Sequence, residues 1–155
     1  MAASVEPYIA QDVPDLSVPN ITTVRPERTM WDEIVILHGL RQWFERRDEP
    51  RQRGQRISRH YHDVYRVMQN AESRAWPSDR APGANCVLRA RLFFGSPDLG
   101  LETAQSGTFE LQPTPAMRDA LARDYRAMGG MVFGKPASLD DVLEGVASVE
   151  KSINA

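Results

Sequence analysis

Between residues 30 and 44, apolar side chains return every three or four positions. Met30, Ile34, Leu37, Leu40 and Phe44 share one arc of a helical wheel, and Trp31, Ile36 and Trp43 widen it. The spacing predicts an amphipathic helix over about 30–47, buried on more than one side. Thr29 is the expected N-cap, with Asp32 three residues on reaching back in a near capping box. One residue breaks the pattern. Glu33 falls in angle between Leu40 and Phe44, a carboxylate on the apolar arc. Either it faces a polar site inside the fold, or it sits in the first turn, favoured there by the helix dipole and splayed to water.

The rest of the pattern gives a mainly helical chain. Pro7, Pro14 and Pro19 with few periodic apolars make residues 1–24 an extended or loop segment, ahead of a helical domain over 25–155. Pro50 and Gly54 make 46–56 a charged loop. A second helix is expected over about 56–71, lined by Ile57, Tyr61, Val64, Tyr65, Met68 and Ala71. The stretch 77–86 reads as turns, 87–95 ("VLRARLFFG") as a strand and 107–112 ("GTFELQ") as its partner. Thr114 and Pro115 stand in N-cap and N1 order before a helix lined by Met117, Leu121, Tyr125 and Met128, which Gly129 and Gly130 end. Ser138 and Asp141 open a last helix lined by Leu139, Val142, Leu143, Val146 and Val149. The fold class is therefore mainly α, a helical bundle with at most a small β element.

Composition narrows the picture only a little. At 155 residues, with 41% hydrophobic and 26% charged residues, the chain has the size and balance of one globular domain. It has no apolar run near the roughly 20 residues a membrane span needs, and no basic flank or apolar core of a signal peptide, so a cytoplasmic address is expected. Cys86 is the one cysteine, which removes intrachain disulfides and Cys-based zinc sites. Net charge is −2, unevenly spread: residues 41–66 hold eight arginines against four acids. Of the basic residues only Lys135 and Lys151 are lysine. Arginine suits bidentate phosphate contacts, although a GC-rich genome raises its use as well.

Candidate chemistry concentrates in "RISRHYHDVYR", 56–66. Arg59, Asp63 and Arg66 are spaced as neighbours on one helical face, and His60 lies three residues before Asp63. The spacing supports either a surface ion-pair ladder or a carboxylate steadied by two guanidiniums and an imidazole beside a phosphate-accepting patch. His38 and His62 read as core-edge or capping residues. Arg56 and His62 are separated by five residues, a spacing found in some all-helical ribonucleases. "FGSPDLGLE" (94–102) has Gly-Ser followed by acids but no D-x-D pair. The chain has no P-loop, G-x-S-x-G, H-E-x-x-H or Cys/His metal pattern.

Four motifs in order resemble one family. "PERTMWDEIVILH", "RISRHYHDVYRV", "ARDYRAM" and "SLDDVLEGVASVEKSIN" are similar to the C-terminal half of the AbiEii/AbiGii nucleotidyltransferase toxins of bacterial abortive-infection toxin–antitoxin systems, over roughly residues 20–154. The resemblance implies a polymerase-β-like enzyme using a nucleoside triphosphate and Mg²⁺, with tRNA among its substrates. It places the metal on a D-x-D pair after a Gly-Ser motif, completed by a lysine in the "PERT" helix and an aspartate in the "RH-Y-D" helix. Carboxylates hold the metal, and a cation balances charge as pyrophosphate leaves. Asp63 matches the family aspartate, with Arg59 and His60 from the same motif beside it. The lysine position falls on Glu33.

Two departures follow. No Gly-Ser–D-x-D segment occurs in the 155 residues, so no metal ligand and no cofactor is assigned to this chain alone; Mg²⁺ and a nucleoside triphosphate belong to a complete family member. An acid at 33 would repel triphosphate. The leading expectation is a catalytically incomplete portion of an AbiEii-type toxin, its upstream half encoded separately or its reading frame truncated or repurposed. In it Asp63 and Glu33 take the catalytic positions, and Arg56, Arg59 and His60 form a nucleotide- or RNA-facing surface. The first alternative is a non-catalytic helical module that pairs with a separate nucleotidyltransferase half or an antitoxin and exposes an apolar face around Trp31, Trp43 and Phe93. The second is an all-helical ribonuclease using Arg56 and His62.

Overall fold

A computed structural model of the protein describes residues 2–5, 18–51, 56–132 and 134–155. Among them, β1 (Ala2–Val5) and β2 (Val18–Thr22) form an antiparallel two-stranded ribbon, with Ala2 opposite Thr22. Five α-helices follow: α1 (Pro26–Arg47), α2 (Ser58–Met68), α3 (Ala81–Phe93), α4 (Pro115–Met128) and α5 (Leu139–Asn154). The architecture is mainly helical, with this ribbon as its small β element. No described helix is long and apolar enough to cross a membrane. Pro7, Pro14 and Gly54 lie outside the described residues.

Helix α1 is the spine. Met30, Trp31, Ile34, Val35, Leu37, His38, Gly39, Leu40 and Phe44 are all buried, so it is covered nearly all round, as the widened apolar arc predicts. Its start differs from the expected one. Arg25 is the N-cap and Pro26 occupies the first turn, where a missing N–H costs nothing. Thr29 and Asp32 therefore lie inside the helix, and Asp32 pairs with Arg28 at 3.0 Å instead of closing a capping box. The remaining helix starts hold. The Thr114 side chain accepts from the N–H of Met117, and Ser138 and Asp141 form a full capping box.

The predicted β pair is the main correction. Residues 81–93 are helical, with Pro82 in the first turn and Gly83, Cys86 and Val87 buried at helical spacing. Gly83 is needed where α3 crosses α1, because a Cβ there would stand 2.6 Å from Cε3 of Trp31. The alternation of arginine and apolar residues in 87–93 imitated a strand because Leu88, Leu92 and Phe93 face solvent. Segment 107–112 keeps strand-like alternation, with Phe109 and Leu111 buried and Glu110 exposed, but pairs with side chains. Asn154 accepts from the N–H of Gly107 and Phe109 and donates to the Phe109 carbonyl at 2.8 Å; Glu150 accepts from the N–H of Leu111 and Gln112.

His38 is a structural residue of the core. Its Nδ1 accepts from the N–H of Glu110 at 3.1 Å, and its Nε2 donates to the Gly100 carbonyl at 3.1 Å. The bond accepted at Nδ1 requires the neutral ring, and burial lowers its pKa from the ordinary 6.5. The unfolded chain therefore takes up a proton that the native ring refuses as pH falls below about 6.5, so this contribution to stability is present above that pH and lost below it. Urea unfolding between pH 7 and pH 5 is expected to show this loss, by up to about 1.4 kcal/mol per pH unit. His38→Gln should flatten that slope.

Candidate functional site

Glu33 lies in the third turn of α1, not the first, because the helix begins at Pro26. Its side chain is 17% exposed and meets His60 of α2, itself 15% exposed, with Nδ1 donating to Oε2 at 2.6 Å. That contact explains a carboxylate on the apolar arc. An almost buried charge needs a partner, and α2 supplies one where it packs on α1. The first turn of α2 is held separately: Asp124 of α4 accepts from the N–H of Ser58 at 2.8 Å and from its hydroxyl at 2.6 Å. Arg56 leans on the same carboxylate at 3.9 Å. Gly145 lets α5 approach closely, since a Cβ there would stand 2.7 Å from Tyr65.

Asp63 is half-exposed, one turn further along α2. Partial burial, and then the charge of Glu33, push its carboxyl above the ordinary carboxylate value, while His62 and His60 oppose the shift. Glu33, His60 and Asp63 thus form one electrostatic neighbourhood. Among the described residues neither the Arg59–Asp63–Arg66 ladder nor the alternative, a carboxylate held by both guanidiniums, is formed. The ionic neighbour of Asp63 is Nδ1 of His62 at 3.7 Å, and neither arginine forms an ion pair among the described residues.

Two clefts flank α2. The larger, about 510 Å³, has an apolar floor that includes Val35, Leu40, Ile57 and Leu101. Arg28, Arg51, Arg56, Arg59 and Arg89 line it together with His60, Phe93 and Phe94. The smaller, about 330 Å³, is lined by Arg59, His62, Asp63, Arg66 and Lys135 over Met128, Met131, Val132 and Ala137. Arg59 belongs to both. Glu33 lines neither and acts behind His60. Cys86 sits on the larger cleft's floor, where burial pushes its thiol up to about 12, so it stays protonated and carries no nucleophilic role at neutral pH. Arg56 and His62 line different clefts, which separates the two groups that the ribonuclease alternative would need together.

The profile described as "Nucleotidyl transferase AbiEii toxin, Type IV TA system" matches residues 2–145. The chain belongs to the AbiEii family. No curated protein and no solved structure matches it. AbiEii proteins are nucleotidyltransferase-type toxins of a type IV toxin–antitoxin system, which gives the chain its functional setting.

The family resemblance implies Mg²⁺, which needs a cluster of oxygen ligands. Among the described residues no three His, Cys, Asp or Glu side chains converge as a metal site. Glu33 is engaged by His60, which leaves Asp63 as the one open carboxylate of this neighbourhood. A hard divalent cation asks for several oxygen ligands. The described residues do not fit it.

Sequence reading singled out Asp63, Arg59 and His60 by helical spacing and Glu33 by its place on the apolar arc, a position the resemblance then matched to a lysine. It missed Lys135, which reaches the Asp63 cleft from the connection between α4 and α5, and Arg89, which reaches the larger cleft from a segment read as a strand. The one local signal at Lys135 was its position after Gly134 in an arginine-dominated chain.

Proposed function

We propose that these residues are the C-terminal, helical share of an AbiEii-type nucleotidyltransferase toxin, acting on RNA in the cytoplasm in a phage-defence setting, and that they do not transfer nucleotides by themselves. The observation that carries this reading is the state of Glu33. At the position where the family resemblance expects a lysine, the chain places a carboxylate whose charge is answered internally by His60. Nothing is left there to balance a departing pyrophosphate, and the one carboxylate near Asp63, Glu33, is engaged by His60. What remains is a recognition surface. Arg56, Arg59 and His60 line the larger cleft, where guanidiniums suit phosphate oxygens and Phe93 and Phe94 offer faces for a base. The α/β half with the Gly-Ser–D-x-D segment would supply metal and triphosphate.

The test is a radiolabelled transfer assay with nucleoside triphosphates, Mg²⁺ and bulk tRNA. The expected result is no incorporation above background. Robust incorporation that Asp63→Ala abolishes would overturn the claim of incompleteness.

A second reading, a helical module that docks a separate nucleotidyltransferase half or an antitoxin, is favoured by the surface of α3. Leu92 is 75% and Phe93 72% exposed, with Leu88 and Phe94 beside them. Phe93 was expected on such a face; Trp31 and Trp43 were not placed there by the fold. Trp31 is 1% exposed and donates from Nε1 to the Asp79 carbonyl, and Trp43 is half-buried between the guanidiniums of Arg47 and Arg51 at 5.6 and 5.4 Å. Light scattering of the chain mixed with either partner should show a complex, weakened at least about tenfold by Leu92→Ser with Phe93→Ser, the scale of a lost apolar hot spot. Separate monomers in both mixtures would remove this reading.

A further inference from the structure

The cleft on the Asp63 side of α2 holds more cationic character than the neighbouring structure uses. Arg59 and Arg66 stand two turns apart on α2, and Lys135 faces them from the connection between α4 and α5. None of the three has an ion pair or side-chain hydrogen bond among the described residues. Some arginines elsewhere are engaged: Arg28 with Asp32, Arg41 with Glu45, Arg118 with Asp140, and Arg91 on two backbone carbonyls. Others, Arg80 among them, are as open as these three; what sets the three apart is that they share one cleft. The turn before Lys135 is also specified. Gly134 has φ +78, a left-handed conformation that side chains rarely adopt, and it carries the chain to the point where Lys135 joins the cleft.

We infer that this cleft is a phosphate-binding site, in which Arg59, Arg66 and Lys135 clamp a phosphate group bearing two or more negative charges. Three cations stand against one carboxylate, Asp63, with His62 as a further donor. Two guanidinium forks and an ammonium match a multiply charged phosphate, and no internal ion pair has to break to admit it. A diester backbone, with one charge per phosphate spread along the strand, uses such a compact cluster poorly. Asp63 opposes the anion, so it lowers affinity and seats the phosphate towards Lys135 and Arg66. The inference does not depend on nucleotidyl transfer: a chain that transfers nothing can still bind phosphate here, and a chain without this site can still belong to a toxin.

The test is a ¹⁵N amide NMR titration with sodium pyrophosphate at low salt, where exposed charges are least screened. Saturable shifts are expected at the amides of residues 59–66 and of Gly134, Lys135 and Ala137. Lys135→Gln and Arg66→Gln, both at exposed positions, should each weaken binding at least about fivefold, the scale of a charge-assisted contact. Gly134→Ala should weaken it without removing a charge, Asp63→Asn should tighten it, and Arg80→Gln should leave it unchanged. ATP, and a 5′-phosphorylated oligoribonucleotide against its 5′-hydroxyl form, distinguish a free polyphosphate from a nucleic-acid end as the source of the group. The inference is overturned if pyrophosphate gives no saturable shift, if Lys135→Gln and Arg66→Gln bind like the parent chain, or if Asp63→Asn weakens binding. The last result would mean that the anion arrives on a cation held by the carboxylate.

Discussion

The bond between Glu33 and His60 sets much of what the surface of this protein can do. A carboxylate on the apolar arc of the most buried helix is costly unless it is answered, because ions lose far more on leaving water than apolar packing returns. His60 answers it at 2.6 Å. The contact also fixes how α2 is turned about its own axis. With His60 directed at α1, and Tyr61 and Val64 in the core, Arg59, Asp63 and Arg66 are left facing outward. A rotation of α2 that exposed the arginines differently would strand Glu33 without its partner.

Two clefts of different character follow from that setting. The larger collects apolar floor residues from α1 and the 99–101 turn and borrows arginines from α1, α2 and α3. The smaller gathers Arg59 and Arg66 of α2 and Lys135 of the α4–α5 connection around Asp63, without pairing to it, over the apolar side chains of Met128, Met131 and Val132. Arg59 lies on the ridge between them, so a ligand reaching from one to the other would pass its guanidinium. The family supplies the setting, a nucleotidyltransferase toxin of a type IV system. In the geometry the carboxylate at 33 is engaged by His60 and lines neither cleft.

Much of the helical fold was legible because caps and periodicity are local. Thr114–Pro115, the Ser138–Asp141 box and the apolar stripes of α4 and α5 read correctly from spacing alone. Thr29 misled because a proline three residues earlier opens the helix first. The strand reading of 87–95 failed for a different reason: Leu88, Leu92 and Phe93 are apolar yet exposed, so hydrophobicity did not report burial there. Residues 107–112 do alternate like a strand, but their partners are Asn154 and Glu150, distant in sequence and borne by a helix. The site was half legible. Positions 59, 60 and 63 lie within one helical turn, whereas the meeting of 33 with 60, and of 135 with 63, depends on packing between elements that no local pattern encodes.

The measurement that bears most directly on this account is a double-mutant cycle on Glu33→Gln and His60→Gln, read by urea unfolding at neutral pH. If the two side chains answer one another across α1 and α2, each single change destabilises and the pair shows a coupling of about 1 kcal/mol or more, within the range for contacting residues. Additive effects, with coupling indistinguishable from zero, would contradict the seating of α2 on which both clefts depend.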